Sequence, residues 1–253
     1  MSSRSAEVER PKPRTVVHKF GGTSVADAER YRHVAKLLLA RDEEVQVTVV
    51  SAMKGVTDAL IELCELAAGN RPKWHERWHA LRARHRGAAG ALLGEAARPG
   101  IEWVDERFQK LEEILNALIV IGGLPELVLQ RVQGLGEVCS ARLLGEYLTL
   151  QGEDCAVLDA REVLRVDHGE LGVVVDWEDS ARRLAAWRDA HPQRRVVATG
   201  FVARDREGRF TTLGRNGSDY SGAIFAALYD AAELHIWTDV DGVLSADPRV
   251  VPE

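Results

Sequence analysis

Two clusters of residues, far apart in the chain, have the types and spacing that phosphate and carboxylate chemistry needs. In the later one, Gly214-Arg215-Asn216-Gly217-Ser218-Asp219-Tyr220-Ser221 runs into an apolar stretch from Gly222 to Leu228. A glycine-rich turn that opens a helix offers unpaired N–H groups and the positive end of the helix dipole, which favours phosphate or carboxylate. Arg215 adds a planar fork matched to a carboxylate, and Asp219 adds an acceptor. In the earlier cluster, Val16-Val17-His18-Lys19-Phe20 reads as a short buried strand that empties into Gly21-Gly22-Thr23-Ser24. There the glycines let backbone approach an anion, Lys19 supplies a compact charge, and Thr23 or Ser24 a hydroxyl. Lys19 precedes the glycines, so this is neither the Walker pattern nor Gly-x-Gly-x-x-Gly. The two clusters together describe a site for a small zwitterionic acid beside a nucleotide.

The elements that must position these residues follow from hydrophobic periodicity. The strand Val16–Phe20 precedes a helix from about Asp27 to Ala40, a second β-branched run over Val45–Val50, and a helix from Val56 to Ala68. Continuous apolar strands alternating with amphipathic helices predict a parallel sheet covered on both faces. The middle of the chain is helical, over Arg71–Leu93, Ile101–Ile121 and Pro125–Leu150. Trp74, His75, Trp78, His79 and His85 recur there at helical spacing, which suits packing and solvation better than a metal or nucleic-acid patch. The α/β pattern then resumes with strands at Cys155–Leu158, Gly172–Val175, Val196–Thr199 and Glu233–Trp237, and a helix from about Ser180 to Ala190. A hairpin is expected between Phe201 and Thr212, where Asp205-Arg206-Glu207-Gly208 forms a turn cluster.

Lys19-Phe20-Gly21-Gly22-Thr23-Ser24-Val25 and the Gly214 to Ser221 segment resemble the two signature motifs of aspartate kinases, in the same order. The resemblance runs from about Val16 onward and takes in Val50-Ser51-Ala52-Met53 and Gly134-Leu135-Gly136-Glu137. Asn216, and Asp241 where many single-function aspartate kinases carry proline, are closer to the kinase half of bifunctional aspartokinase–homoserine dehydrogenases. The resemblance implies a three-layer α/β/α sandwich with a mainly parallel sheet, the amino-acid kinase fold, carrying a helical insertion over about 71–150. It also implies transfer of the γ-phosphoryl of ATP, with Mg²⁺, to the β-carboxylate of L-aspartate. The product, 4-phospho-L-aspartate, is the first intermediate toward lysine, threonine, methionine and isoleucine. Two alternatives stand beside it: a kinase for another small acceptor such as glutamate or acetylglutamate, and a catalytically silent nucleotide-binding module.

Carried over position by position, the resemblance makes Lys19 and Asp219 the catalytic pair, although Asp219 also suits a cap on a helix beginning near Tyr220. Gly21, Gly22 and Ser24 fall in the phosphate cradle. Arg215 and Ser218 lie with the acceptor, Arg215 gripping its α-carboxylate, and Glu137 is placed to pair with its α-ammonium. Ser51 and Thr57 match positions near aspartate and equally suit helix capping, while Phe201 matches an aromatic near the substrate and equally suits the core. Thr238 and Asp239 resemble adenine-nucleotide contacts, with Arg249 reaching the phosphates. Leu244 departs from the family, where tyrosine often stands against the nucleotide. No run of carboxylates spells a protein-held metal site, which is compatible with Mg²⁺ carried by nucleotide oxygens and water.

Bulk composition sets the outer bounds. The 253 residues are 45% hydrophobic and 28% charged, with a net charge of −6, which disfavours a general nucleic-acid or membrane surface. No apolar run approaches the ~20 residues that span a bilayer. Cys64, Cys139 and Cys155 follow neither disulfide-framework nor zinc-ligand spacing and fit a reducing cytoplasm. Residues 1–14 read as a flexible leader before one kinase domain over 15–253. Proteins of the resembled family continue through a further nucleotide-binding lysine region and regulatory domains, so the domain is expected to be incomplete at its C-terminal side. The full-length protein is expected to form a homo-oligomer.

Overall fold

The computed structural model describes residues 13–169, 172–214 and 217–238. Its centre is a sheet of five strands: β1 (Thr15–Phe20), β2 (Val45–Val50), β3 (Cys155–Leu158), β6 (Arg195–Thr199) and β9 (Glu233–Trp237), in the order β3-β6-β2-β1-β9. Every pairing within it is parallel. Strands β1 and β2 are buried along their whole length, including the polar side chains of His18, Lys19, Gln46 and Thr48, as central strands covered on both faces require.

Alternate residues of each strand feed two different cores. Phe20, Val50 and Val197 join a core with α1 (Ala28–Leu39), α2 (Val56–Ala68), α3 (Lys73–Leu93), α4 (Ala97–Ile121) and α6 (Leu135–Leu150). Val17, Val47, Val49 and Val196 join the opposite core, with α8 (Trp177–Ala190) and α9 (Gly217–Leu228). The result is the expected three-layer α/β/α sandwich. Asp27 starts α1 by accepting the Arg30 N–H at 2.9 Å.

Four details differ from the periodicity reading. The helical pattern over Pro125–Leu150 is two helices, α5 (Glu126–Gln133) and α6, because the chain breaks at Gly134, where any side chain would strike Val202. The strand β5 (Gly172–Val175) lies outside the main sheet, in an antiparallel ribbon with β4 (Val166–Gly169). A four-residue helix α7 (Ala160–Val163), capped by Asp159, follows β3. Helix α9 begins by Gly217, so Asp219 sits inside its first turn instead of capping it. The expected hairpin is present as β7 (Val202–Arg204) and β8 (Phe210–Thr212).

In α3, Trp74, Trp78 and His85 are buried, with the Trp78 indole N–H donating to the Phe108 carbonyl at 3.0 Å. His75 and His79 face outward. Burial lowers the His85 pKa to about 4, which keeps it neutral while its Nδ1 bonds the Leu81 carbonyl at 2.8 Å.

Candidate functional site

The C-terminal ends of β1, β2 and β6 meet the start of α9, and most of the singled-out residues gather there. Alternation along β1 turns Lys19 toward α9, where its Nζ lies 2.7 Å from Asp219 Oδ1. The lysine side chain is 8% exposed and the aspartate 45%, so the pair sits at the rim with its carboxylate open to solvent.

Beyond Phe20 the chain turns through Gly21–Ser24, closed by a bond from the Ser24 N–H to the Gly21 carbonyl at 3.0 Å. This turn is laced to the loop after β2. The Lys54 N–H donates to the Gly22 carbonyl at 3.0 Å, and the Ser51 N–H to the Phe20 carbonyl at 3.1 Å. A Cβ on Gly22 would lie 2.9 Å from the Ala52 carbonyl oxygen, so only glycine lets the two loops approach this closely. Thr57, the second residue of α2, follows on the same loop and is half-buried.

Glu137, in the first turn of α6, is 3% exposed, and one carboxylate oxygen, Oε2, has no hydrogen-bond partner. Burial pushes its pKa up to about 7, against the opposing pull of backbone hydrogen bonds from Ala52 and from its own N–H and of the Arg161 charge. Buried polar atoms without partners are uncommon, and one on a carboxylate is suited to receive a cation. The Ala52 bond ties Glu137 to the loop that also holds the Gly21–Ser24 turn.

On the α9 side, Phe201 is held at φ +67°, the left-handed region that an aromatic residue seldom adopts. Its N–H donates to Ser221 Oγ at 2.8 Å, and the Ser221 hydroxyl in turn donates to the Gly217 carbonyl at 2.8 Å. Beside it, the Gly200 N–H donates to the Val50 carbonyl at 2.8 Å, and a Cβ on Gly200 would lie 2.9 Å from the Ser218 Cβ. The ends of β2 and β6 therefore touch the first turn of α9 directly, fixing Ser218 next to Asp219.

Ser24 and Thr238 lie toward the other face of the sheet. They line a cavity of about 420 Å³ between α1 and the ends of β1 and β9. Lys54 and Trp237 line it too, and sequence reasoning singled out neither for a role. Trp237 is fixed by stacking on Phe20 at 5.6 Å, by Arg41 lying 5.2 Å from its ring, and by donation to His18 Nδ1 at 3.2 Å. The signal for Lys54 was a lysine-glycine turn after β2, which one sequence does not separate from an ordinary surface turn.

Lys19, Gly21, Gly22, Ser51, Phe201, Ser218 and Asp219 thus surround one edge of the sheet, and Glu137 reaches it through Ala52. Arg215, Asp239 and Arg249, with Asp241 and Leu244, lie outside the described residues. Among the described residues no group of three or more His, Cys, Asp or Glu side chains is placed to hold a metal ion. None of the described helices is long and apolar enough to cross a membrane.

A family model described as the amino acid kinase family matches residues 14–253. The chain is 38% identical over 239 residues to bifunctional aspartokinase/homoserine dehydrogenase 1, chloroplastic, of Arabidopsis thaliana, covering 94% of this chain and 26% of that protein. It is 37% identical over 238 residues to bifunctional aspartokinase/homoserine dehydrogenase 2 of Escherichia coli (strain K12), covering 94% and 29%. Among solved structures, E. coli aspartokinase III in complex with aspartate and ADP matches with a TM-score of 0.82 and 30% identity, over 94% of this chain and 52% of that one. The chain therefore spans between a quarter and a third of the length of these curated relatives.

Proposed function

The chain belongs to the amino acid kinase family, and from that premise we propose that it is the kinase part of an aspartate kinase, moving the γ-phosphoryl of ATP to the β-carboxylate of L-aspartate. The observation that carries this reading is the pairing of two unlike carboxylates around one sheet edge. Asp219 is bound to Lys19 at 2.7 Å, while Glu137 is buried with one oxygen free. A phosphate-side cation and an ammonium-side anion are what an amino-acid acceptor and a nucleotide donor require together.

The chemistry follows from the acceptor being an anion already. No strong base is needed, and the barrier lies in bringing two negative groups together and holding charge on the transferring phosphoryl. Lys19 Nζ, at the rim, offsets that charge, and Asp219 holds the lysine in place. Gly21 and Gly22 offer backbone donors to the phosphates, and Ser24 offers its hydroxyl. Glu137 takes the α-ammonium, Arg215 the α-carboxylate, and Ser51, Thr57, Phe201 and Ser218 wall the acceptor. Thr238, Asp239 and Arg249 serve the nucleotide. When bound, Mg²⁺ neutralises phosphate charge and comes with the nucleotide's oxygens and water. Among the described residues, Asp219 is the carboxylate paired with Lys19, and at 45% exposure it is open enough to meet the ion.

The same reading makes the working enzyme a cytoplasmic homo-oligomer, with the kinase unit over 15–253 and the helices of about 71–150 as its insertion. The test is aspartyl hydroxamate formation from L-aspartate and MgATP, with glutamate and acetylglutamate as competing acceptors. Product from aspartate alone, lost in Lys19→Ala, supports the reading. Product from another acceptor, or nucleotide binding without turnover in a folded chain, overturns it.

A further inference from the structure

A second, cationic cavity shares no lining residue with the Lys19 edge, although its Arg161 charge reaches Glu137, and the geometry points to a binding site for a small organic phosphate or comparable dianion. The cavity, about 270 Å³, draws its cations and its aromatic wall from Arg107 and Lys110 on α4, Arg131 on α5, Arg161 on α7, and Phe210 on β8, with α6 adding apolar lining. Phe210 forms an aromatic wall crowded by guanidinium groups, with Arg131 at 4.9 Å and Arg161 and Arg204 each at 4.5 Å from its ring centre.

One carboxylate lines the cavity, Asp159, and Arg161 already occupies both of its oxygens. Arg107 lies over the Trp103 ring at 4.8 Å, and Arg131 over Phe210. Among the described residues, Arg107, Lys110 and Arg131 have neither an ion pair nor a hydrogen bond. Gathering three unpaired cations around one concavity is unfavourable by itself, the more notably in a chain of net charge −6. A dianion relieves that repulsion through charge-assisted bonds, for which arginine forks are well shaped.

Size and lining narrow the ligand. At about 270 Å³ the cavity is smaller than the one of about 420 Å³ beside α1, which suits a compact ligand. Leu111, Ile114, Val132, Leu135 and Val138 supply the apolar lining and favour a ligand with an apolar portion behind its charged head.

The test is calorimetric titration of the full chain with phenyl phosphate and, separately, inorganic pyrophosphate. Binding at this cavity is expected to prefer phenyl phosphate, and it is counted apart from any binding of either probe at the Gly21–Ser24 turn. The double variant Lys110→Ala/Arg131→Ala should weaken it at least tenfold, while Lys19→Ala leaves it unchanged. Lys110 and Arg131 are exposed, so the fold should survive their removal, and matching circular dichroism melts check this. Phe210→Leu, which keeps the cations, should remove the preference for phenyl phosphate. Absence of binding at millimolar probe overturns the proposal. So does affinity that is insensitive to the double variant, or affinity lost in Lys19→Ala, which would assign the probe to the Gly21–Ser24 edge.

Discussion

Among the described residues, Asp219 and Glu137 are the two carboxylates of the proposed site, and they are kept in opposite surroundings. Asp219 is 45% exposed and bound to Lys19, so both water and a partner charge reach its carboxylate. Glu137 is 3% exposed, shares no ion pair, and titrates near pH 7 because burial penalises its charge. Leaving a buried acceptor without a partner costs about 1–3 kcal/mol, which the surrounding fold must offset. The contrast separates two tasks. A lysine held by a solvated aspartate presents positive charge at a rim where phosphates can arrive. A buried, unpaired carboxylate presents an acceptor that only an incoming cation completes.

The largest effect should come from breaking the first half. Lys19→Ala leaves Asp219 solvated, so folding should be retained, while turnover should drop by about 10²–10³ as a donor to the transferring charge is lost. Steady-state hydroxamate kinetics would show kcat falling far more than the KM for aspartate rises. Unchanged turnover would take Lys19 out of the reaction.

The second half should break differently. Glu137→Gln keeps shape and removes charge, and should raise the KM for aspartate by an amount equivalent to about 2–3 kcal/mol, with a smaller change in kcat. In the parent chain, KM should rise as pH falls through about 7, because the carboxyl becomes neutral there. The glutamine variant should lack that limb. Stability carries its own signature. The native pKa of Glu137 lies above its unfolded value, so between about pH 4.5 and 7 the unfolded chain releases a proton that the native chain retains. Ligand-free stability therefore falls across that window and stays lower above it. Urea denaturation at pH 5 and pH 8 should show the parent losing stability between the two, and Glu137→Gln losing less. Equal losses would mean that Glu137 does not titrate where its burial places it.

What the sequence disclosed of this site, and what it withheld, divides along local and long-range physics. Val45–Val50, Val56–Ala68 and Cys155–Leu158 were readable to the residue, because β-branched or apolar-rich runs and helical periodicity are local signals. The break at Gly134 was not, and the Val202 side chain that leaves room only for glycine there comes from far along the chain. Nor was the pairing of Gly172–Val175 with Val166–Gly169, because register belongs to two segments and only one looked like a strand. Lys19 and Asp219 were legible as residue types within motifs, but their 2.7 Å contact needs the β1–α9 packing. Glu137 was placed by resemblance alone. Its free oxygen and its raised pKa are products of burial, which a single sequence does not encode position by position.

A steric change tests whether the site depends on close approach of the elements that bear it. Gly200→Ala introduces a Cβ 2.9 Å from the Ser218 Cβ and 3.0 Å from the Val50 carbonyl oxygen. The carbonyl belongs to a central strand and cannot withdraw, so the start of α9 must move outward. Overpacking of this kind costs about 1–3 kcal/mol in stability. It should also lengthen the Lys19–Asp219 contact and lower turnover. Full activity in Gly200→Ala, at reduced stability, would show that the pair tolerates displacement.

The smallest stability effect, and the most discriminating for the comparison, should come from Asp219→Asn. With the carboxylate 45% exposed, solvent screens its attraction to Lys19, and the pair should contribute about 1 kcal/mol or less to folding. Its location in the first turn of α9 adds a similar small dipole term. A melt shifted by only a few degrees is therefore expected. If Asp219 orients Lys19 for the reaction, turnover should nonetheless fall well beyond what that energy represents, because a neutral amide no longer draws the ammonium to one place. Parallel small losses in stability and turnover would instead mark the contact as an ordinary rim ion pair, leaving Lys19 to be positioned by its own burial between β1 and α9.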